Sequence, residues 1–223
     1  MTKKKRGLIV GVFKNEESLS FIKRTRMFNQ TTRARLEQNT ALLEHLAYNI
    51  AIGERNQLED NKQVAQLLPY VIIKHPEADM YFAYQRMQGI GESRLVGKTS
   101  IGFGGHFDYA DLESHLDGSG IVTSTALLNA IKAGAIRELD EECIFEEGLV
   151  LSTEQMGFAG LIYSEATEVD AVHLAIVLVV EANVADCKEE ELRSLGWLTK
   201  DEITCGDFNL ETWTGIAINE MLK

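Results

Sequence analysis

Proline is nearly absent from this chain, with two residues in 223. Glycine is moderate, so the composition excludes a linker-rich or intrinsically disordered protein. Cysteine is also scarce. Cys143, Cys187 and Cys205 are odd in number and lack metal-type spacing. Neither a disulfide framework nor a zinc cluster is encoded, and reduced thiols in a cytoplasmic protein are expected. Long apolar runs are missing as well. The longest, AVHLAIVLVV (Ala171–Val180), is too short to span a bilayer, which needs about 20 residues as a helix. The start, MTKKKRGLIVGVF, superficially resembles a signal peptide. Its apolar core (Gly7–Phe13) is short, runs into Lys14 and Asn15, and has no small-residue cleavage site after it, so it reads as a strand.

Basic residues are few beyond the N-terminus. Residues 1–35 hold ten Lys or Arg and two Glu, while the rest holds 12 basic and 32 acidic side chains, giving a net charge of −12. A basic arm can bind polyanions. No helix-turn-helix, zinc or RNA-binding signature accompanies it, which argues against nucleic acid. The favoured role is a solvated basic face that complements the acidic body, within the chain or across a homodimer. With 45% hydrophobic residues, the length supports one large domain or a domain with an added subdomain.

Leu8–Phe13 reads as a buried strand and Ala34–Gly53 as a helix, with Leu36, Leu42, Leu43, Leu46 and Ile50 near helical spacing and Gly53 as its stop. Residues 1–68 are expected to form an N-terminal strand and helical segment, as an integral extension or insert, and 69–223 the main domain. The latter opens with a hairpin (Tyr70–His75, Met80–Met87), followed by a polar loop (Gly89–Lys98) and a strand ending in paired glycines, TSIGFGGH. After the acidic loop FDYADLESHLDGSG, a long helix is expected over Ser124–Cys143, capped by Ser124 or Thr125. Strands at Met156–Glu165, Ala171–Ala182 and Leu195–Thr199 and a helix at Leu210–Leu222 complete an α/β (α+β) sandwich. No internal repeat is visible.

The long helix carries the chemistry. Leu128, Ile131, Ala135 and Leu139 form an apolar stripe, with Ile136 and Cys143 beside it. Glu138, Glu141 and Glu142 then fall at i, i+3 and i+4 on one adjacent face. They repel one another and sit near the helix C-terminus, where the macrodipole disfavours anions. Either the face is solvated and screened or hard divalent cations neutralise it. The spacing alone leaves both open. The ordered string RELDEE (Arg137–Glu142) is more specific, with a chance occurrence on the order of one in a thousand in a chain this long.

RELDEE resembles the R-E-U-x-E-E core of the Nudix box, the signature of the MutT-like pyrophosphohydrolases, with Leu139 as the bulky aliphatic residue U. The full pattern is G-x5-E-x7-R-E-U-x-E-E-x-G-U. Its early glutamate falls on Asn129, its first glycine on Thr123 when counted without a gap, and its late glycine on Ile144. Gly105 of GFGGH lies 32 residues before Arg137 where the pattern expects 14, which makes 18 residues an insertion ahead of the helix. Loops tolerate such lengthening at small entropic cost. The order of hairpin, GGH strand, helix, later strands and WLTKDEI also matches, over about residues 69–223, while residues 14–68 have no counterpart in the family pattern.

The resemblance implies a Nudix-like α/β/α sandwich with a mixed sheet. It implies metal-dependent hydrolysis of a diphosphate bond in a nucleoside diphosphate linked to another group, with a small-molecule substrate of that class. Mg2+ or Mn2+ would be held by Glu138, Glu141, Glu142 and the backbone of Gly105, with Arg137 supporting the glutamates. One helix glutamate would act as base, with Glu165 or Glu168 as outside candidates. Arg86, Arg94 and Lys98 are candidate substrate-phosphate contacts, and Tyr81, Tyr84 and Tyr163 candidate base-stacking residues. The alternative is an inactive Nudix-fold nucleotide-binding or regulatory protein. An isomerase of isoprenoid diphosphates would need a pocket-facing cysteine, and none is convincingly placed. His106-x-Asp108 and His115-x-Asp117 are weaker rival metal ligands.

Overall fold

Val64–Lys74 (VAQLLPYVIIK, β3) is apolar almost throughout, the pattern of a strand covered on both faces. In the computed structural model, which describes residues 7–18, 20, 32–88 and 93–222, β3 is the hub of a mixed sheet. It pairs in parallel with β9 (His173–Glu181), from Gln66 opposite His173 to Lys74 opposite Glu181. Its other edge is shared. β1 (Leu8–Phe13) pairs antiparallel with Val64–Gln66, and β6 (Gly102–Phe103) with Val71 and Ile72. Pro69, which cannot donate to a ladder, lies between those two partners. β2 (Ile50–Glu54) extends the sheet beyond β1. β4 (Met80–Arg86), β5 (Thr99–Ser100), β8 (Gly157–Ile162) and β11 (Leu192–Thr199) complete its nine strands among the described residues.

One face buries Leu67, Val71 and Leu174 against Leu42 and Leu46 of α1 (Thr32–Tyr48) and against α4 (Ser124–Glu142). Between these lie the short helices α2 (Arg55–Glu59) and α3 (Tyr109–Glu113). After α4 come α5 (Glu168–Ala171), α6 (Lys200–Cys205) and α7 (Thr212–Ile216), the last continuing as a wider turn over Ala217–Met221. The opposite sheet face packs Ile72, Ala83 and Val177 against Ile203 of α6 and against Ala217 and Ile218. Helices thus cover both faces, and the architecture is the α/β/α sandwich that the resemblance implies.

Several boundaries differ from expectation. The N-terminal helix ends at Tyr48, because Ile50–Glu54 pairs with β1 instead of continuing the helix to Gly53. The boundary expected at 68/69 falls inside β3, and β1 and β2 belong to the same sheet as the rest. The long helix is capped by Thr123, whose hydroxyl accepts from Ala126 N, rather than by Ser124 or Thr125. Its stripe is led by Leu127, with Leu128 only partly buried. It stops at Glu142, one residue before the expected Cys143. Cys143 is already extended (φ −115°, ψ 145°), because Cys143–Phe145 (β7) pairs with β10 (Val184–Cys187). With no left-handed residue at this exit, Ile144 needs no glycine's freedom. Most of the basic arm lies outside the described residues, but Lys14 is half-buried and its Nζ donates to Ala171 O at 2.7 Å. No helix among the described residues is long and apolar enough to cross a membrane.

Candidate active site

The amphipathic pattern of α4 fixes what its last turns present. Ala135 and Leu139 are fully buried in the core, which rotates Glu138 and Glu142, four residues apart, towards the paired glycines. Gly104 has φ +154°, and a Cβ there would fall 1.9 Å from Pro69 O. A Cβ on Gly105 would fall 2.3 Å from Glu138 Oε2. The two glycines therefore do different work. Gly104 lets the chain cross β3 closely, and Gly105 leaves room for a carboxylate. The backbone N of Gly104 also donates to Glu142 Oε2 at 3.3 Å. The GFGGH motif and the helix thus meet across the 18-residue insertion.

Electrostatics single out these two glutamates. Burial pushes the Glu142 carboxyl up to about 8, opposed by Arg86 and reinforced by Glu138 and Glu189. Burial also raises Glu138, against the pull of Arg137. Glu141 differs: its side chain is 48% exposed and lies 3.6 Å from Arg137 Nη1. Arg137 is the hub of that side. Its Nη1 donates to Glu138 Oε1 at 2.6 Å, and its Nη2 to Asp111 Oδ2 at 3.1 Å and to His106 O at 3.4 Å, with Asp108 Oδ2 at 3.7 Å.

A cavity of about 1070 Å³ opens beside Gly104, Gly105, Glu138 and Glu142. Arg86, Arg94, Lys98, Glu165, Glu168 and Tyr163 also reach its wall. Arg86 is engaged by the buried Glu211, with Nε 2.7 Å from Oε1. Arg94 is exposed, 4.0 Å from Glu168. Tyr163 donates to Glu165 at 3.1 Å, and like Tyr81 and Tyr84 it is buried in the cores. The two His-x-Asp pairs do not assemble. The His106 ring stacks edge-on against His173, Asp108 turns to Arg137, His115 bonds at Asp111 O, and Asp117 holds an exposed turn with Ser119. Burial pushes Cys143 up and Cys187 up to about 12, so neither thiol is poised as a nucleophile.

Asp111, Glu211 and His173 were not singled out by sequence reasoning. Asp111 and Glu211 act through arginines far away in the chain. The available signal was Gly134, a glycine in mid-helix three residues before Arg137.

Among the described residues, no three His, Cys, Asp or Glu side chains converge as a ready cage for an ion. What the geometry offers is two desolvated carboxylates beside glycine backbone. That oxygen donor set fits a hard divalent cation completing its shell with water and substrate phosphate.

No model of a known protein family matches the chain. It is 29% identical over 170 residues to Protein YmaB of Bacillus subtilis (strain 168), covering 74% of this chain and 75% of that one. Among solved structures, Tm1382, itself named only provisionally as a Nudix hydrolase, superposes with a TM-score of 0.62 at 23% identity, over 95% of this chain and 96% of its own. The chain has the Nudix fold. With 95% of this chain covered, the superposition with Tm1382 reaches into the N-terminal segment, for which the family pattern offered no counterpart. A NUDIX hydrolase from Alicyclobacillus acidocaldarius matches more loosely, with a TM-score of 0.46 at 13% identity over 69% of this chain and 89% of its own.

Proposed function

We propose that the chain is a Nudix-type pyrophosphohydrolase that cleaves the diphosphate bond of a nucleoside diphosphate linked to another group, with Mg2+ or Mn2+ as cofactor. The observation that carries this reading is the convergence of Glu138 and Glu142 on Gly104 and Gly105 at the mouth of a large cavity. Two carboxylates taken out of water side by side resist ionising together, and a divalent ion bound to both would favour their charged form. Such an ion, held by Glu138, Glu142 and the Gly105 backbone, would polarise a phosphoryl oxygen and acidify an attacking water. Glu141 joins that set by turning from Arg137. Arg137 holds Glu138 in place. Lys98 and Arg94 meet substrate phosphates at the rim, while Arg86, already balanced by Glu211, moderates the charge on Glu142.

The test is a screen of nucleotide sugars, dinucleoside polyphosphates, NAD-type dinucleotides and modified nucleoside triphosphates, with and without Mg2+. Metal-dependent release of a nucleoside monophosphate or phosphate, abolished in Glu142→Gln, is the expected result. Binding of these compounds with no turnover would instead mark a Nudix-fold binding protein.

A further inference from the structure

The Nudix pattern places a glutamate two helical turns before its arginine, and this chain has Asn129 there, exposed on α4. Arg137 still sits in a defined acidic setting. Its Nε is buried without a hydrogen-bond partner among the described residues, so the guanidinium is oriented through its two terminal nitrogens. One reaches Glu138 at 2.6 Å and the other Asp111 at 3.1 Å. The planar fork makes these contacts interdependent, since fixing one nitrogen fixes where the other points. Asp111 comes from α3, inside the insertion, and α3 is anchored by the fully buried Leu112.

An independent feature points the same way. Gly134 is buried in the middle of α4, where glycine costs about 1 kcal/mol relative to alanine. A Cβ on Gly134 would lie 2.9 Å from Asp111 Oδ2. The glycine leaves the gap through which that carboxylate reaches Arg137.

We infer that Asp111 is the positioning residue of this site. It clamps Arg137, which in turn holds Glu138 against Gly105, and Gly134 is the gap that admits it. The purpose of the clamp rests on the proposed hydrolase reading; its existence does not. The insertion is then part of the active-site support.

The experiment uses the full chain without metal first. Side-chain nitrogen NMR of Arg137 should show restricted guanidinium rotation, lost in Asp111→Asn and in Gly134→Ala and kept in Glu113→Gln, a matched charge removal on the same helix. An Arg137 signal unchanged in Asp111→Asn overturns the clamp. Gly134→Ala guards against a folding artefact, because helix propensity favours alanine and its thermal midpoint should not fall. Titration with Mn2+ then reads the purpose, with affinity expected to drop roughly 10- to 100-fold in both clamp variants, the usual loss for an outer partner of a metal ligand. Unchanged affinity in variants whose Arg137 is released overturns the positioning role. A wild-type chain that binds no Mn2+ and hydrolyses nothing removes the hydrolase reading, while the NMR comparison still decides the clamp.

Discussion

Two sides of one helical turn meet opposite surroundings. Glu138 and Glu142 face the paired glycines and the cavity, desolvated and pushed towards protonation. Glu141, one residue from Glu142, faces solvent beside Arg137 and the insertion. The glutamates are chemically identical, so their surroundings divide the roles. The cavity side disfavours charge that a bound cation would restore, and the insertion side spreads charge over an arginine. The sharpest break of this contrast is Glu142→Gln. It is expected to lower metal-dependent hydrolysis by roughly 100-fold or more, exceeding the loss of an outer partner, and to raise the thermal stability of the metal-free chain by removing a buried carboxyl. Hydrolysis that survives in this variant would detach the acidic helix from the chemistry.

The paired glycines divide in the same way. Gly104→Ala drives a Cβ into the backbone oxygen of Pro69 and leaves a non-glycine residue at φ +154°. Backbone cannot swing aside, so a stability loss of about 1–3 kcal/mol is expected in urea unfolding. Gly105→Ala meets only the end of Glu138, which can move. It should keep its unfolding midpoint and lose metal affinity. Equal stability losses in both would mean that Gly105 serves the fold alone. Glu141→Gln should lie below these, at about a tenfold loss in turnover, if the residue joins the ion only by leaving Arg137. A loss equal to that of Glu142→Gln would erase the distinction between the two sides.

Local signals reached the acidic helix but not its supports. Apolar spacing, a cluster of capping hydroxyls (Ser124 and Thr125 expected, Thr123 observed) and RELDEE all lie within a few turns of chain. α4 ends one residue before the expected Cys143 because Cys143–Phe145 becomes a strand through Val184–Cys187, about 40 residues on. Ile50–Gly53 reads as helix for the same reason, since the pairing of Ile50–Glu54 with Leu8–Val12 is invisible in a local window. The insertion read as an acidic loop. Buried Phe107 and Leu112 organise it, and Asp111 gains its meaning from Arg137, 26 residues away. Arg86 was legible as a cation near the cavity, but not its neutralisation by Glu211, which arrives from α7's threshold at the far end of the chain.

The same contrast between cavity and surface predicts a modest acid sensitivity. Burial lowers His106 to about 3, aided by the charge on Arg55 and by His173, whose own pKa burial also lowers. His173 Nδ1 donates to Val169 O at 2.7 Å, which leaves its Nε2 as the lone-pair nitrogen of a neutral ring. A histidine depressed in the folded state binds its proton later than the unfolded chain does. Its contribution is therefore complete above the ordinary value near 6.5 and is lost as the pH falls from there towards 3. Between pH 7 and 5.5 the folded chain should lose on the order of 1 kcal/mol through His106, as the unfolded chain alone takes up the proton. Urea unfolding of wild type and His106→Gln at both pH values isolates this term from the carboxylates, which titrate in both proteins. A smaller pH dependence in the variant supports a neutral, buried ring on the cavity wall. An identical dependence would mean that the ring accepts a proton freely and that this end of the cavity is wet.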